Sequence, residues 1–162
     1  MVFYCNILYT MVKIKIKKGK IIEFESDTRE LGNYFLYYNK VLTSITLLSV
    51  ASIGNYFLFY NKALSSIFLP NVEKIGGGFL FFNKALSSIY LPNVKDIGYG
   101  FLNYNETLSS ITLPNVTCIG HSFLPYNGVL EKLYAPKLKD IGAYCLYVHP
   151  KRGKLMKGRA YV

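Results

Sequence analysis

Hydrophobic positions recur along most of the chain with a strict period of 22 residues. Each period holds an aliphatic residue followed by glycine, then phenylalanine and leucine, then asparagine. The aliphatic residues that open the periods are Leu31, Ile53, Ile75, Ile97, Ile119 and Ile141. One unit of this length cannot bury its own apolar side, so neighbouring units must stack and share a core. The pattern therefore predicts a repeat solenoid.

Each unit contains one segment with the alternation of a half-buried β-strand. In residues 86–91, Ile89 and Leu91 are predicted to point inward, while Ser88 and Tyr90 point outward. A proline then ends each strand, because its nitrogen carries no hydrogen for the strand ladder. These prolines are Pro70, Pro92, Pro114 and Pro136.

The opposite wall of each coil is predicted from a second apolar pair, such as Val94 and Ile97. The glycine that follows, Gly98 in this coil, indicates a corner where the backbone has a positive φ or where two coils approach closely. We therefore expect a β-rich solenoid of about five 22-residue coils. At the spacing of parallel strands, such a stack is on the order of 24 Å tall.

Two further columns carry polar and aromatic side chains. Asparagine recurs at Asn39, Asn61, Asn83, Asn105 and Asn127. We expect these amides to be buried and to form a ladder in which they donate hydrogen bonds to, and accept them from, backbone groups of their own and the next coil. The phenylalanine column has a flanking column, namely Tyr38, Tyr60, Phe82, Tyr104 and Tyr126. Both aromatic columns are predicted to stack in the interior, with a ligand-stacking box as the alternative.

The complete unit resembles a known repeat. It reads Leu-x-x-Ile-x-Leu-Pro-Asn-Val-x-x-Ile-Gly-x-x-Phe-Leu-x-x-Asn over residues 31–148. This pattern is similar to the BspA-like (Treponema-type) leucine-rich repeat, with Phe-Leu in place of Ala-Phe and asparagine in place of the common cysteine. The resemblance implies a right-handed leucine-rich repeat solenoid used for protein interaction. Members include bacterial and protist surface proteins, and similar arrays occur in large DNA viruses.

The segment before the repeats is predicted to form a cap. Residues 12–25 alternate as a hairpin with its loop at residues 17–19, which sets Ile14 opposite Ile22 and Lys13 opposite Glu23. One face of such a hairpin is apolar and the other charged, as a solenoid cap requires. We therefore divide the chain into an N-terminal segment with this capping hairpin (1–30), the solenoid (31–148) and a basic C-terminal cap or tail (149–162).

Positive charge concentrates at the C-terminal end of the chain. The formal net charge is +10, and residues 131–162 contribute +6 of it. The charge either keeps the open end of the solenoid solvated or contacts the phosphates of nucleic acid or of an anionic membrane surface. The candidate anion-binding residues are Lys151, Arg152, Lys154, Lys157 and Arg159.

The first residues of the chain and its cysteines indicate where in the cell the protein is expected. Residues 1–10 are apolar but lack a basic n-region and a small-residue cleavage pattern, so no signal peptide is predicted. We expect an intracellular, cytoplasmic protein, with the cell surface as the alternative. Apolar runs are too short for a transmembrane segment. Cys5, Cys118 and Cys145 are odd in number and fit free thiols better than a disulfide framework.

Reactive side chains form no recurring constellation. The nine acidic residues are scattered, and His121 and His149 have no cysteine or carboxylate at metal-ligand spacing. The Ser-Ser pairs belong to the strand motif, and no Lys-Ser or Lys-Thr follows the glycines at 76–78. We therefore predict no catalytic residue, no metal site and no cofactor, and hence a protein that is not an enzyme.

The outward columns of the stacked strands form the predicted binding surface. Small hydroxyl side chains alternate there with aromatic ones, a composition found in interface hot spots. The predicted partner-binding residues are Ser66, Phe68, Ser88, Tyr90, Ser110, Thr112, Lys132 and Tyr134. Three hypotheses follow: a module that binds an unknown protein on this surface, accessory binding of nucleic acid or an anionic surface through the basic end, or a surface adhesin or antigen fragment.

Overall fold

The computed structural model describes the backbone of residues 2–7, 10–17 and 20–23, and all atoms of residues 28–145. Fourteen short strands and no helix occur in these ranges. Three strands precede the repeats: β1 (Val2–Ile7), β2 (Thr10–Lys17) and β3 (Lys20–Glu23). The solenoid that follows alternates strands of three residues with strands of two, one of each per coil.

The two-residue strands build one continuous wall. They form a six-stranded parallel sheet in which each coil pairs only with the next, so that Ile53, Ile75, Ile97 and Ile119 lie in register. Its members are β4 (Glu30–Leu31), β6 (Ser52–Ile53), β8 (Lys74–Ile75), β10 (Asp96–Ile97), β12 (Cys118–Ile119) and β14 (Asp140–Ile141). This wall confirms the predicted second apolar pair, since Val94 and Ile97 are both buried.

The three-residue strands form the facing wall, here called the strand face. They are β5 (Ser44–Thr46), β7 (Ser66–Phe68), β9 (Ser88–Tyr90), β11 (Ser110–Thr112) and β13 (Lys132–Tyr134). The predicted alternation is confirmed in β9, where Ile89 and the following Leu91 are buried while Ser88 and Tyr90 are exposed. Parallel pairing joins these strands in register from coil to coil, except between β7 and β9.

The core between the two walls is a stack of identical columns. The phenylalanine column is fully inside, as predicted, with neighbouring rings nearly parallel at centroid distances of 5.2 to 5.8 Å. Its members are Phe35, Phe57, Phe79, Phe101 and Phe123. Nearly parallel rings at this distance are offset from one another, and each packs against the rings of the coils before and after it.

The glycine column owes its residue type to close approach rather than to positive φ. A Cβ atom on Gly98 would lie 2.7 Å from the Gly76 carbonyl carbon, and one on Gly76 would lie 2.6 Å from that of Gly54. Of the two explanations that the sequence allowed, the structure therefore supports the second. Among the described glycines, only Gly78 and Gly100 have positive φ.

Positive φ instead marks every second residue of the turn after this glycine. In the second coil these residues are Tyr56, Leu58 and Tyr60, with φ of 58°, 50° and 63°. Their N–H groups point to alternate neighbours: those of Tyr56 and Tyr60 donate to carbonyls of the following coil, and that of Leu58 donates to the Phe35 carbonyl of the preceding coil. The left-handed conformation is costly for residues with a side chain, and these bonds between coils offset the cost.

The asparagine ladder is confirmed, with a different bonding pattern from the one predicted. The five asparagines are buried. Asn83 Nδ2 donates to the Leu58 carbonyl of the preceding coil at 3.1 Å and to the Phe81 carbonyl of its own coil at 3.3 Å. The ladder therefore runs through backbone carbonyls toward the preceding coil. The Oδ1 atoms of Asn61, Asn83 and Asn105 have no partner, so the prediction that these amides also accept is wrong there.

The flanking aromatic column lies on the surface, which corrects the prediction that it stacks inside. Its side chains follow the left-handed turn and point away from the core, so Tyr38 and Tyr126 are exposed and the rings between them half-buried. With neighbouring columns they form one connected surface of eleven rings, here called the aromatic wall. The aromatic wall comprises Tyr34, Tyr37, Tyr38, Tyr56, Phe59, Tyr60, Phe81, Phe82, Tyr99, Tyr104 and Tyr126.

The hairpin before the repeats forms, but its register differs from the prediction. Lys15 rather than Lys13 lies opposite Glu23, and the isoleucines that face each other are Ile16 and Ile21. The strands reach closer to the turn than predicted, since Lys17 pairs with Lys20, and a bulge shifts the register between Lys15 and Ile16. β3 also pairs in parallel with β5, at the end of the strand face where we predict the cap.

Part of the sequence-based prediction falls outside the described residues. The five candidate anion-binding residues of the C-terminal end lie there, as does His149. The boundaries after residues 30 and 148, and the capping role of the hairpin, remain predictions.

Candidate functional site

The strand face presents the eight predicted partner-binding residues in two columns. Ser66, Ser88, Ser110 and Lys132 succeed one another in the first column, and all are at least partly exposed. Phe68, Tyr90, Thr112 and Tyr134 form the second column. Its three aromatic side chains are 48%, 54% and 54% exposed. Large rings that remain half in solvent on a rigid sheet are available to a partner at little entropic cost.

The register of the strands decides which of these residues lie side by side. Tyr90 and Tyr134 flank Thr112, and Ser88 and Lys132 flank Ser110, on the three paired strands β9, β11 and β13. Each exposed tyrosine therefore has a small neighbour, which leaves its ring edge and hydroxyl free on that side. The site within these three strands is a continuous surface of six predicted residues.

The remaining two predicted residues belong to a separate sheet. Ser66 and Phe68 pair with Ser44 and Thr46 of the first coil. No backbone pairing joins β7 to β9 in the described structure, and Ile67 is only half-buried where Ile45 and Ile89 are buried. The strand face is thus divided by a seam between its second and third strands. No feature of the repeat pattern signals this seam, because the sequences on both sides of it are nearly identical.

The Ser-Ser pairs serve two purposes that the sequence did not separate. The first serine of a pair ties coils together, as Ser65 Oγ donates to the Thr43 carbonyl and Ser109 Oγ to the Ser87 carbonyl, both at 3.1 Å. The second serine of each pair belongs to the outward column. The surface thus carries outward hydroxyl groups beside hydroxyl groups already used by the fold.

A second asparagine column was missed in the sequence, although the recurring Pro-Asn-Val tripeptide could have revealed it. The Nδ2 atoms of Asn71, Asn93 and Asn115 donate to carbonyls of the preceding coil at 2.7 to 2.8 Å. Lys137 Nζ in turn donates to Asn115 Oδ1 at 2.7 Å. These side chains lie on the surface just after the strands of the strand face. Their hydrogen bonds join successive coils there, so the amide groups are already used by the fold.

The electrostatics of the strand face are nearly neutral. Lys132 is the charged member of the eight predicted residues. Ion pairs occur elsewhere on the stack, such as Lys84–Glu106 at 2.6 Å and Lys95–Glu73 at 2.7 Å, and they link successive coils. The hydrogen bond from Lys95 lowers the pKa of Glu73 below its usual value. The strand face therefore offers shape, aromatic area and hydroxyl groups rather than charge.

The described residues offer no other chemistry at this face. They contain no group of three or more histidine, cysteine or acidic side chains that could hold a metal ion. Cys118 and Cys145 are free thiols. Within the same part of the chain, no helix has the length and apolar character needed to cross a bilayer.

The fold and the strand face together define a repeat solenoid that presents an extended surface for binding. Residues 29–151 match the family described as BspA type leucine rich repeat region, with six copies of the repeat. The chain belongs to this family, as the repeat pattern predicted. Neither the curated proteins nor the solved structures gave a match. Membership indicates a role in protein interaction or adhesion, and solenoids of this kind are typically non-enzymatic.

Proposed function

We propose that this protein is a non-enzymatic interaction module that binds a partner protein on the strand face. The observation that carries the proposal is the set of three half-exposed rings, Phe68, Tyr90 and Tyr134, on the two sheets of the strand face, where the other outward side chains are small except for Lys132. Buried in an interface, such rings contribute most of the binding energy, while small neighbours allow a partner to approach closely.

The rigidity of the sheet supports the same role. The backbone beneath each aromatic ring is held by core residues such as Ile89 and Ile111, which are almost completely buried. A partner therefore meets side chains whose positions are fixed before binding, and little ordering entropy is lost on association. The nearly neutral surface indicates that shape and aromatic contacts, rather than charge, select the partner.

The repeat itself supplies the substitutions for the test. Threonine occupies this column at Thr46 and Thr112, so Phe68→Thr, Tyr90→Thr and Tyr134→Thr remove the rings while keeping a side chain that the sheet already accepts. We expect the intact chain to capture a partner from the source lysate, and the triple variant to lose it by at least about tenfold, the equivalent of one weak hot spot.

Variants on the aromatic wall are the matched control. Tyr38→Asn and Tyr126→Asn remove exposed rings from another surface and should leave capture unchanged. Equal capture by the parent and the triple strand-face variant would contradict the proposal.

The basic C-terminal end supports a second candidate, the binding of nucleic acid or another anionic surface. Residues 131–162 carry eight lysines and arginines against two acidic residues. Contacts with phosphates weaken steeply as salt increases, because binding releases counterions. A partner whose capture disappears between low and physiological salt, and on substitution of Lys151, Arg152, Lys154, Lys157 and Arg159, would favour this candidate. The strand-face candidate predicts weak salt dependence.

A further inference from the structure

The aromatic wall is a large apolar surface that the proposed function does not use. Its eleven rings touch one another across all five strand-face coils, and Tyr34, Tyr37 and Tyr99 are among the exposed members. Five of the rings are exposed and the other six are half-buried, and a folded chain seldom leaves so large an aromatic patch accessible unless it meets a partner. The wall lies along the left-handed turns, away from the strand face.

The stacking of the rings limits what can bind. The centroids of Tyr104 and Tyr126 are 4.4 Å apart, those of Phe82 and Tyr104 are 4.6 Å apart, and the planes of each pair lie within 16° of each other. Rings this close cover each other's faces. Nucleic-acid bases need a free ring face to stack on, and the facing sides of these pairs offer none. Where the rings stack, the wall presents ring edges and hydroxyl groups.

Positive charge borders these ring edges. A column of lysines follows the rings by two residues: Lys40, Lys62 and Lys84. Lys62 Nζ lies over the face of the Tyr60 ring, 4.6 Å from its centroid. Glu106 continues the column, and its carboxylate is already paired with Lys84. The edge of an aromatic ring also carries partial positive charge. With three lysines and one glutamate, the border has a formal charge of +2 and suits a partner that is negatively charged.

The backbone beneath the rings gives no reason for their presence. Tyr38, Tyr60 and Tyr126 have φ between 55° and 63°, where glycine or asparagine is accommodated more easily. An aromatic side chain at such a position adds strain, and strain that recurs in each coil suggests that the ring itself is used.

We propose that the aromatic wall docks on an anionic phospholipid surface, with its tyrosine rings at the level of the headgroups and the lysine column over the phosphates. Tyrosine is enriched at this depth of a bilayer because its ring is apolar and its hydroxyl polar. The repeat presents an aromatic ring at each level of the stack, which fits a laterally uniform partner better than a protein with one binding register. A second copy of this chain fits poorly, because two chains of net charge +10 would bring their lysines together.

Vesicle co-sedimentation with the full chain tests the proposal. We expect binding to phosphatidylcholine vesicles that contain phosphatidylserine, and much weaker binding to vesicles of phosphatidylcholine alone. Each lysine near such a surface contributes about 1 kcal/mol, so Lys40→Ser, Lys62→Ser and Lys84→Ser together should weaken binding roughly 100-fold. Tyr38→Asn with Tyr126→Asn should also weaken binding, and these variants should fold, because asparagine suits their positive φ.

Two controls separate the wall from the other charged and aromatic surfaces. Phe68→Thr with Tyr90→Thr alters the strand face and should leave vesicle binding unchanged, so the outcome does not depend on the proposed function. The five candidate anion-binding residues of the C-terminal end are replaced with serine in a separate variant.

Three results would overturn the proposal. The first is vesicle binding that survives the wall variants and disappears in the C-terminal variant. The second is no binding to phosphatidylserine vesicles. The third is that the wall variants keep vesicle binding but lose binding of a single-stranded oligonucleotide or self-association of the chain, which would assign the wall to that partner instead.

Discussion

At the scale of single residues, glycine is required for two different reasons in neighbouring positions. Gly98 sits against the backbone of the preceding coil, where a Cβ atom would lie 2.6 Å from Gly77 N. Gly100 has a φ of 64°, but a Cβ atom there would meet nothing closer than 3.6 Å. The first position forbids any side chain, whereas the second only makes one costly.

Alanine substitution distinguishes these reasons. Gly100→Ala should reduce the free energy of unfolding by about 1 kcal/mol, the cost of a left-handed residue with a Cβ. Gly98→Ala should cost about 3 kcal/mol or more, because two backbones must move apart. Denaturant unfolding measures both. Equal losses would contradict the assignment of close approach to the glycine column.

The buried asparagines act as donors, and their replacement should show this. Asn83→Ala leaves the buried Leu58 carbonyl without its donor, while the Phe81 carbonyl keeps the bond from the Tyr60 N–H, and should cost about 1–3 kcal/mol. Asn83→Asp, of the same shape, should cost more, because its carboxylate faces two carbonyl oxygens. Asn93→Ala is the matched control, since its bond to the Pro70 carbonyl lies in solvent and should cost about 0.5 kcal/mol. Thermal melting should rank the loss of stability as Asn83→Asp greatest, Asn83→Ala next and Asn93→Ala least, and any other order would contradict the donor role of the ladder asparagines.

The pH dependence of the wall centres on Tyr99. Its hydroxyl donates to the Tyr56 hydroxyl at 2.7 Å, and this bond, with partial burial, raises the pKa of Tyr99 from 10.0 to about 12. Because the pKa of Tyr99 is higher in the folded than in the unfolded state, its protonated hydroxyl stabilises the fold. This contribution is complete below pH 10 and is lost as the pH rises from 10 to 12. Burial also raises the pKa of Tyr37 and Tyr104, so absorbance titration of tyrosinate should show several late steps, of which the step near pH 12 is lost in Tyr99→Phe and shifted toward pH 10 in Tyr56→Phe. A step near pH 12 that persists in Tyr99→Phe would assign it to another residue.

At the scale of secondary-structure elements, the seam in the strand face should be visible in solution. The amides of Leu47, Leu91 and Leu113 donate to the next coil. The equivalent bond from Leu69 to the Tyr90 carbonyl is missing from the described structure. We therefore expect the Leu69 amide to exchange with solvent faster than the other three. Hydrogen exchange measured by NMR tests this, and equal protection of all four amides would show that β7 and β9 pair.

The strands and the core could be predicted because their signals are periodic and local. Ile89, Leu91 and Ser88 took their predicted sides of β9, since alternation within a strand leaves no other choice when one side is buried. The phenylalanine and asparagine columns were predicted for the same reason. A period that repeats without a slip fixes which residues stack on which.

The turns and the N-terminal hairpin could not be predicted, because their geometry depends on contacts that the pattern does not encode. Nothing in the sequence indicates that Leu58 and Tyr60 are left-handed, since both residue types avoid that conformation and tolerate it here only through bonds between coils. Because the turn is left-handed at Tyr60, its ring points to the surface rather than into the core. The hairpin register likewise depends on a bulge at Lys15, which alternation alone does not reveal.

At the scale of the whole molecule, each coil contacts mainly the coils before and after it. The hydrogen bonds of the ladder, the strands and the turns join positions about one repeat apart. The bond between Tyr56 and Tyr99 is different, because it spans 43 residues and links the second coil to the fourth. It crosses the third coil where Gly77 and Gly78 stand in place of the Asn55 and Tyr56 of the second coil, and the Tyr99 ring fills the space over Gly77. This clamp is a contact beyond nearest neighbours.

A double-mutant cycle tests whether the clamp contributes to the stack. In a chain of nearest-neighbour contacts, substitutions two coils apart should be additive within about 0.5 kcal/mol. Tyr56→Phe and Tyr99→Phe should instead couple by about 0.5–1.5 kcal/mol, because either one removes the same hydrogen bond. Tyr34→Phe with Tyr126→Phe is the control, since these rings lie at opposite ends of the wall and should be additive. If the first pair were as additive as the control, the Tyr56–Tyr99 bond would add nothing, and the third coil would be held only by its two neighbouring coils. Because Gly77 and Gly78 contribute no side chains, this coil, which lies beside the seam, would then be the least stable coil of the solenoid.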